Sequence, residues 1–140
     1  MTDPRALVEG LGLEAHPEGG WYRQTWLAPA TQGRRPASSS ILYLLRSGER
    51  SHWHRVDADE IWHYAAGDPL ELLVAEAEGA VVAVHRIGGN VAAGDEPQVV
   101  VPAGCWQSAV PLGAWTLVGC IVAPAFRFDG FELAPGGWEP

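Results

Sequence analysis

Short runs of alternating apolar and polar residues dominate this chain, and glycine or proline separates most of them. Such alternation is typical of half-buried β-strands, and glycine and proline are typical of the turns between strands. The pattern predicts ten strands, near residues 20–27, 39–46, 50–56, 60–66, 70–77, 80–87, 97–102, 105–111, 115–122 and 127–133. Many short strands with almost no helix indicate an all-β sandwich or barrel, with residues 1–140 forming a single domain.

One short helix is predicted at the N-terminus, in the segment "DPRALVEG". Asp3 is a favourable N-cap residue, and Pro4 fits the first helical position. Gly10 and Gly12 then end the helix early.

Charge and composition exclude several classes of function. The chain has a net charge of −8, and its nine basic residues form no basic face, so nucleic acid and anionic membranes are not expected partners. All nine are arginines, which excludes Schiff-base chemistry and a P-loop lysine. The first residues lack the pattern of a secretory signal, and no apolar run is long enough to span a membrane. We therefore expect a cytoplasmic protein in which Cys105 and Cys120 are reduced and packed in the interior.

The segment "SHWHRVDADEIWHYAAG", residues 51–67, contains three of the five histidines. Side chains alternate along a strand, so His52 and His54 are predicted to share a face, with Trp53 on the opposite face. By the same rule Glu60 and Tyr64 share a face of the next strand. If a turn at "VDAD" pairs these strands as a hairpin, histidines and glutamate meet inside a barrel.

Further candidates come from "VVVPAGCWQSAV" and "GWYRQTW". Gln107 lies in an apolar strand, so it needs hydrogen-bond partners if it is buried, and a polar cavity could supply them. Tyr22 and Arg23 lie on opposite faces of the first strand, and either could line that cavity. Trp62 and Trp106 are placed to form its walls and to stack on a sugar or another flat ligand.

The segment "HPEGG" precedes the first long strand. Its two glycines supply backbone freedom, so the simplest interpretation of Glu18 and its neighbours is a turn. His16 is likewise interpreted as a turn residue.

Several segments together resemble the cupin type 5 family, also called domain of unknown function 985. They are "HPEGGWYRQTW", "SSSILYLL", "HWHRVDADEIWHYAAGDPLEL", "QVVVPAGCW" and "LVGCIVAPAFRFDGFELA". Residues 48–67 resemble the first cupin motif and residues 94–107 the second. The resemblance implies a double-stranded β-helix, or jelly roll, that is usually a homodimer and holds a polar pocket inside its barrel.

Two positions depart from the general cupin pattern. Five residues separate His54 from Glu60, where three or four are usual. Gln107 stands where metal-binding cupins carry their last histidine, and a neutral amide is a weaker metal ligand than imidazole.

Three functions follow as hypotheses, all with a small-molecule ligand. The first is an isomerase or epimerase that acts on a sugar or a similar polyhydroxylated metabolite. In this hypothesis His54, or secondarily His52, removes a proton next to a carbonyl group, Glu60 orients the imidazole or shares its proton, and Tyr64 returns a proton from the other side.

The second hypothesis is a metal-dependent cupin enzyme. Imidazole and carboxylate ligands favour a divalent Fe, Mn, Ni or Zn ion, which His52, His54, Glu60 and Gln107 would hold. The third is a cupin that binds a small ligand in the same pocket without catalysis.

Overall fold

A computed structural model describes residues 2–140. Helix α1 spans Pro4–Gly10. Eleven strands follow: β1 Glu14–Ala15, β2 Trp21–Leu27, β3 Ser39–Arg46, β4 Ser51–Val56, β5 Asp59–Gly67, β6 Leu70–Ala75, β7 Ala83–Ile87, β8 Gln98–Val101, β9 Trp106–Pro111, β10 Trp115–Ala123 and β11 Phe131–Leu133. Single 3-10 turns lie at Val91–Ala93 and Phe128–Gly130.

The strands form two antiparallel sheets that face each other. One sheet has the order β1-β2-β3-β10-β5-β8, and the other has the order β11-β4-β9-β6-β7. This all-β jelly roll with one short helix confirms the predicted fold class.

The helix has the predicted N-terminus. The Asp3 side chain accepts a hydrogen bond from the backbone N–H of Arg5, and Pro4 occupies the first turn. In residues 2–140, no helix is long and apolar enough to cross a membrane.

The main core lies between the two sheets. The six-stranded sheet contributes Tyr43, Trp62 and Val118, and the five-stranded sheet contributes Leu70 and Leu72. A second apolar cluster holds Trp53, Trp106 and, from the C-terminal segment, Trp138. Three of the seven tryptophans therefore pack in a cluster separate from the main core.

The predicted hairpin of β4 and β5 is wrong. β4 pairs with β9 and β11, whereas β5 pairs with β10 and β8, so the short link at Asp57 and Ala58 carries the chain from one sheet to the other. His54 and Glu60 both face the interior nevertheless, because they project from opposite sheets into the space between them.

A β-bulge interrupts the alternation of β4. Ser51 pairs with Ala109 and His54 with Gln107, so one extra residue is inserted in β4 between these two pairs. His54 is consequently buried while His52 is exposed, and the two do not share the face that strict alternation predicted.

The sharp end of β5 requires glycine at position 67. Gly67 has a φ of +88°, and a Cβ atom there would lie 2.6 Å from the backbone oxygen of Trp115. Gly79 has a similar φ of +82°, but nothing lies within 4 Å of the corresponding position.

We therefore expect Gly67→Ala to destabilise the protein more than Gly79→Ala does. Both variants place alanine in the left-handed region at a cost of about 1–2 kcal/mol, and only Gly67→Ala adds a steric clash of about 1–3 kcal/mol. Urea unfolding of the two variants measures the difference. Equal losses in the free energy of unfolding would contradict the crowding seen at Gly67.

Candidate active site

A cavity of about 340 Å³ opens between the two sheets. Carboxyl and imidazole groups form much of its polar lining, and they belong to Glu14, His16, Glu18, His54 and Glu60. The apolar lining is formed by Ile41, Val56, Val122, Phe126 and Phe128. The cavity thus combines titratable groups with surfaces that exclude water.

The most buried charged groups of the cavity are paired. His54 Nε2 lies 2.7 Å from Glu18 Oε2, and the two side chains are 2% and 7% exposed. His54 Nδ1 donates to the backbone carbonyl oxygen of His52 at 2.7 Å. Since a carbonyl and a carboxylate can only accept, both ring nitrogens of His54 act as donors, which requires the charged imidazolium form.

The pKa of His54 reflects this pairing. Burial disfavours the imidazolium, but the charge of Glu18 and its hydrogen bond outweigh that effect and raise the pKa of His54 to about 9. Conversely, burial opposes ionisation of Glu18, and His54 overcomes this to lower the pKa of that carboxyl group. At neutral pH the two side chains form a buried ion pair.

The turn before β2 positions Glu18. The backbone carbonyl of Glu18 accepts a hydrogen bond from the N–H of His52 at 2.8 Å, which joins the turn to β4. Gly19 has a φ of +101°, and a Cβ atom there would clash with the backbone oxygen of Arg50. A residue with a side chain therefore cannot replace Gly19 without shifting either the turn that carries Glu18 or the backbone at Arg50.

His16 and Tyr43 support the same turn. His16 Nδ1 accepts a hydrogen bond from the N–H of Glu18 at 3.1 Å, so that ring nitrogen carries no proton. Burial lowers the pKa of His16, in agreement with a neutral ring. The hydroxyl of Tyr43 donates to the carbonyl of Gly19.

A second hydrogen-bonded chain holds Glu60. Trp62 Nε1 donates to Gln107 Oε1 at 2.7 Å, and Gln107 Nε2 donates to Glu60 Oε1 at 2.8 Å. An indole nitrogen can only donate, so Trp62 fixes the orientation of the amide and directs its NH₂ group toward the carboxyl group. The prediction that a buried Gln107 needs polar partners is confirmed.

The environment of Glu60 raises its pKa to about 7. Burial is the main cause, and the negative charge of Glu18 adds to it, while His54 and Gln107 oppose the shift. Glu60 consequently exchanges its proton near neutral pH, which is the property of an efficient general base.

Several predicted site residues lie elsewhere. Tyr64 shares the inward face with Glu60, but its hydroxyl donates to the carbonyl of Gly67 at 2.9 Å and is not part of the cavity lining. His52 is exposed beside Arg50 and the C-terminal segment. The structure therefore brings together His54 and Glu60 but not His52 or Tyr64.

The predicted ligand-binding residues divide in the same way. Tyr22 lines the cavity, whereas Arg23 projects to the exposed side of β2. Trp62 is fully buried, and Gln107 links it to Glu60; neither Trp62 nor Gln107 lines the cavity. Trp106 packs in the second cluster, with the Arg55 guanidinium 4.7 Å from its ring centroid.

Sequence reasoning missed Glu18 and His16 as cavity residues. The signal was the two consecutive glycines after Glu18, which allow the close approach to β4 and indicate more than a surface turn. It also missed Cys120, whose thiol lines the cavity and stays protonated because burial raises its pKa well above the usual value.

The proposed metal ligands do not fit a metal ion. Both nitrogens of His54 are occupied by Glu18 and a backbone carbonyl, and Gln107 is bound to Trp62 and Glu60. Within residues 2–140, no three His, Cys, Asp or Glu side chains are arranged to hold an ion. The atoms that could bind a metal ion therefore form hydrogen bonds and an ion pair within the protein instead.

Replacing Glu18 by Gln should lower the pKa of His54 below 9, because burial then acts without the charge and the hydrogen bond of the Glu18 carboxylate, and only the weaker effect of Glu60 opposes it. His54 titrates above its unfolded value, so its contribution to stability is present below pH 6.5 and is lost as the pH rises through about 9. The wild-type protein should have a larger free energy of unfolding than Glu18→Gln below pH 6.5. This difference should decrease as the pH rises to about 9, by about 3 kcal/mol at most.

NMR titration of the imidazole resonances and urea unfolding at several pH values measure these effects. Glu14→Gln is the matched control, since Glu14 lines the same cavity but does not contact His54. A His54 pKa near 9 in Glu18→Gln would contradict the ion pair.

Metal loading should also respond to Glu18. Untagged wild-type protein reconstituted with excess Mn²⁺, Ni²⁺ or Zn²⁺ should retain less than about a tenth of an ion per chain. The double variant Glu18→Ala, Gln107→His frees His54 Nε2 and adds an imidazole, so it should bind more metal. Elemental analysis measures the bound metal. One ion per chain in the wild-type protein would contradict the conclusion that these residues do not hold a metal.

Comparison with known proteins identifies the family. Comparison with the curated proteins finds no match. Among solved structures, protein SO0799 from Shewanella oneidensis is 39% identical with a TM-score of 0.89, covering 96% of this chain and 85% of that chain. A hypothetical protein from Leishmania major is 29% identical with a TM-score of 0.87, covering 95% and 88%.

More distant structures share the fold alone. Oxalate decarboxylase from Bacillus subtilis is 12% identical with a TM-score of 0.66, and the match covers 85% of this chain but only 29% of that enzyme. The model of the Cupin_5 family, described as Cupin superfamily (DUF985), matches residues 5–134, almost the full length. The chain belongs to this cupin family.

Proposed function

We propose that this cupin is an acid/base enzyme that isomerises or epimerises a small polyhydroxylated carbonyl compound in its cavity. One observation carries the proposal. Glu60 and His54 face the same cavity with pKa values of about 7 and about 9, so near neutral pH a carboxylate base and an imidazolium acid are present together. Pairs of groups whose environments set different protonation states are typical of acid/base catalysis.

Glu60 is the proposed general base. Its Oε1 atom accepts the amide hydrogen bond of Gln107, which holds the carboxyl group in one orientation. A pKa near the working pH gives a large fraction of carboxylate and enough basicity to remove a proton.

His54 is the proposed acid, which reverses the role that the sequence suggested for it. As an imidazolium it has a proton to give and cannot accept another. Both of its N–H groups are bound, so the carbonyl oxygen of the substrate must take the place of Glu18 Oε2 at Nε2–H before that proton is given. It also offsets the negative charge that develops on a carbonyl oxygen when the adjacent C–H bond breaks. Glu18 acts through His54, as a positioning residue that keeps the imidazole charged.

The proposed reaction is balanced within the cavity. Glu60 takes the proton from the carbon next to the carbonyl group, and His54 gives a proton to the carbonyl oxygen, which yields an enediol. To form the isomer, protonated Glu60 gives its proton to the former carbonyl carbon, and the hydroxyl group on the neighbouring carbon returns a proton to His54. To form the epimer, a water molecule protonates the opposite face of the carbon that lost its proton, Glu60 gives its proton to the solvent, and the enediol oxygen returns its proton to His54. Both enzyme groups then regain their starting protonation states.

The apolar wall supports this chemistry. Phe126 and Phe128 line the cavity together with the titratable groups and give it an apolar wall. Electrostatic interactions are stronger where water is excluded, and a reactive enediol is protected from side reactions.

The test is exchange of substrate hydrogen with solvent in D₂O, followed by NMR over a panel of aldoses and ketoses. Glu60→Gln should reduce exchange at least about 100-fold, because it removes the base. The rate should rise as Glu60 deprotonates near pH 7 and fall as His54 deprotonates near pH 9.

Tyr64→Phe is the matched control, since the Tyr64 hydroxyl is not part of the cavity lining, and it should retain wild-type exchange. Exchange that survives Glu60→Gln, or that chelator abolishes, would refute the acid/base mechanism. Sugar binding without exchange would indicate a cupin that only binds its ligand.

A further inference from the structure

The lining of the cavity is acidic. Glu14, Glu18 and Glu60 all face it, and no arginine is among the described residues that line it. The chain contains no lysine. The cavity therefore has no side chain that could form the bidentate or multiple contacts by which proteins hold phosphate and carboxylate groups.

The single imidazolium does not balance these carboxyl groups. His54 is neutralised by Glu18 in a contact of 2.7 Å, and His16 accepts a hydrogen bond through Nδ1, as a neutral ring does. Glu14 and the ionised fraction of Glu60 remain without a positive partner in the cavity lining. The field that a ligand meets is consequently negative.

Two of the basic residues near the cavity in sequence are already paired, and Arg23 projects from the exposed side of β2. Arg35 makes a two-point contact with the Asp57 carboxylate, at 2.7 and 3.0 Å, and also donates to the carbonyl of Ala125. Arg127, between the two phenylalanines of the wall, lies 3.7 Å from Asp129. Neither guanidinium lines the cavity.

Aromatic surfaces complete the site. Tyr22, Phe126 and Phe128 line the cavity together with Glu14, which pairs with Tyr22 across strands β1 and β2. Ring faces attract ammonium groups and pack against the C–H face of a sugar, and a nearby carboxylate strengthens the preference for a cation. The volume of about 340 Å³ is at the lower end of ligand pockets, which span about 300–1,000 Å³.

We infer that the cavity takes a neutral or amino-bearing monosaccharide and rejects phosphorylated, nucleotide-linked and carboxylated sugars. The inference rests on the proposed function, which it narrows by the charge of the substrate. An ammonium group would lie near Glu14 and the aromatic ring of Tyr22.

Three probes of one framework test the inference: D-glucosamine, D-glucose and D-glucose 6-phosphate. Their binding to the wild-type protein is followed at neutral pH through the imidazole resonances of His16 and His54. His52 lies outside the cavity and serves as the internal control. Glucosamine and glucose should shift the two cavity histidines, and glucosamine should bind at least about tenfold more tightly than the phosphate.

A variant pair locates the effect. Glu14→Gln should weaken glucosamine at least about threefold and leave glucose unchanged, because one unit charge is removed near the ammonium group. Glu9→Gln changes the net charge equally at an exposed residue of α1 and should leave both probes unchanged. Equal responses of the two variants would overturn the assignment to Glu14.

Four outcomes decide between this inference and the proposed function. Phosphate binding as tight as that of glucosamine, or no response of His16 and His54 to glucose and glucosamine, would overturn the inference. Solvent exchange in a phosphorylated sugar would also overturn it while leaving the acid/base mechanism intact. Selective binding of glucosamine without exchange in any sugar would support the inference and refute the proposed catalysis.

Discussion

The buried ion pair of Glu18 and His54 determines the protonation states of the whole cavity. Its imidazolium has both ring nitrogens bound to oxygen, and its carboxylate is one reason that Glu60 retains a proton up to about pH 7. Burial and the charge of Glu18 also raise the pKa of Tyr43, which stays a neutral donor to the turn. Removing each of these ions from water costs several kcal/mol, which offsets much of their mutual attraction. The pair is therefore a weak source of stability, and its effect on the protonation states of the cavity explains its presence better.

Two backbone irregularities make this pair possible. The bulge in β4 turns His54 inward while leaving His52 outside, and the glycines after Glu18 allow the turn to approach the backbone of Arg50. A regular strand would direct both histidines to one side of the sheet. The cavity thus depends on local departures from ideal strand geometry, which are common next to functional sites.

Much of the fold could be predicted from the sequence, because alternation and turn residues act locally. The strands that contain Trp62 and Val118 and the capped first helix lie where the pattern placed them. The bulge could not be predicted, since nothing in the residues from Ser51 to His54 distinguishes an inserted residue from a regular one. The role of Glu18 was equally hidden, because it depends on the distant backbone contact with His52.

Gln107 explains how this scaffold is suited to proton transfer. The side chain of a glutamine has an oxygen that accepts hydrogen bonds and an NH₂ group that donates them. The Trp62 indole can only donate, so it binds the Gln107 oxygen, and the NH₂ group is left to donate to Glu60. That hydrogen bond favours the carboxylate and thereby limits the rise in pKa that burial causes. His54 opposes the rise more strongly than Gln107 does, and the two together keep the carboxyl group partly ionised near neutral pH. In the proposed mechanism, the amide at position 107 therefore tunes a carboxyl group and is not a metal ligand.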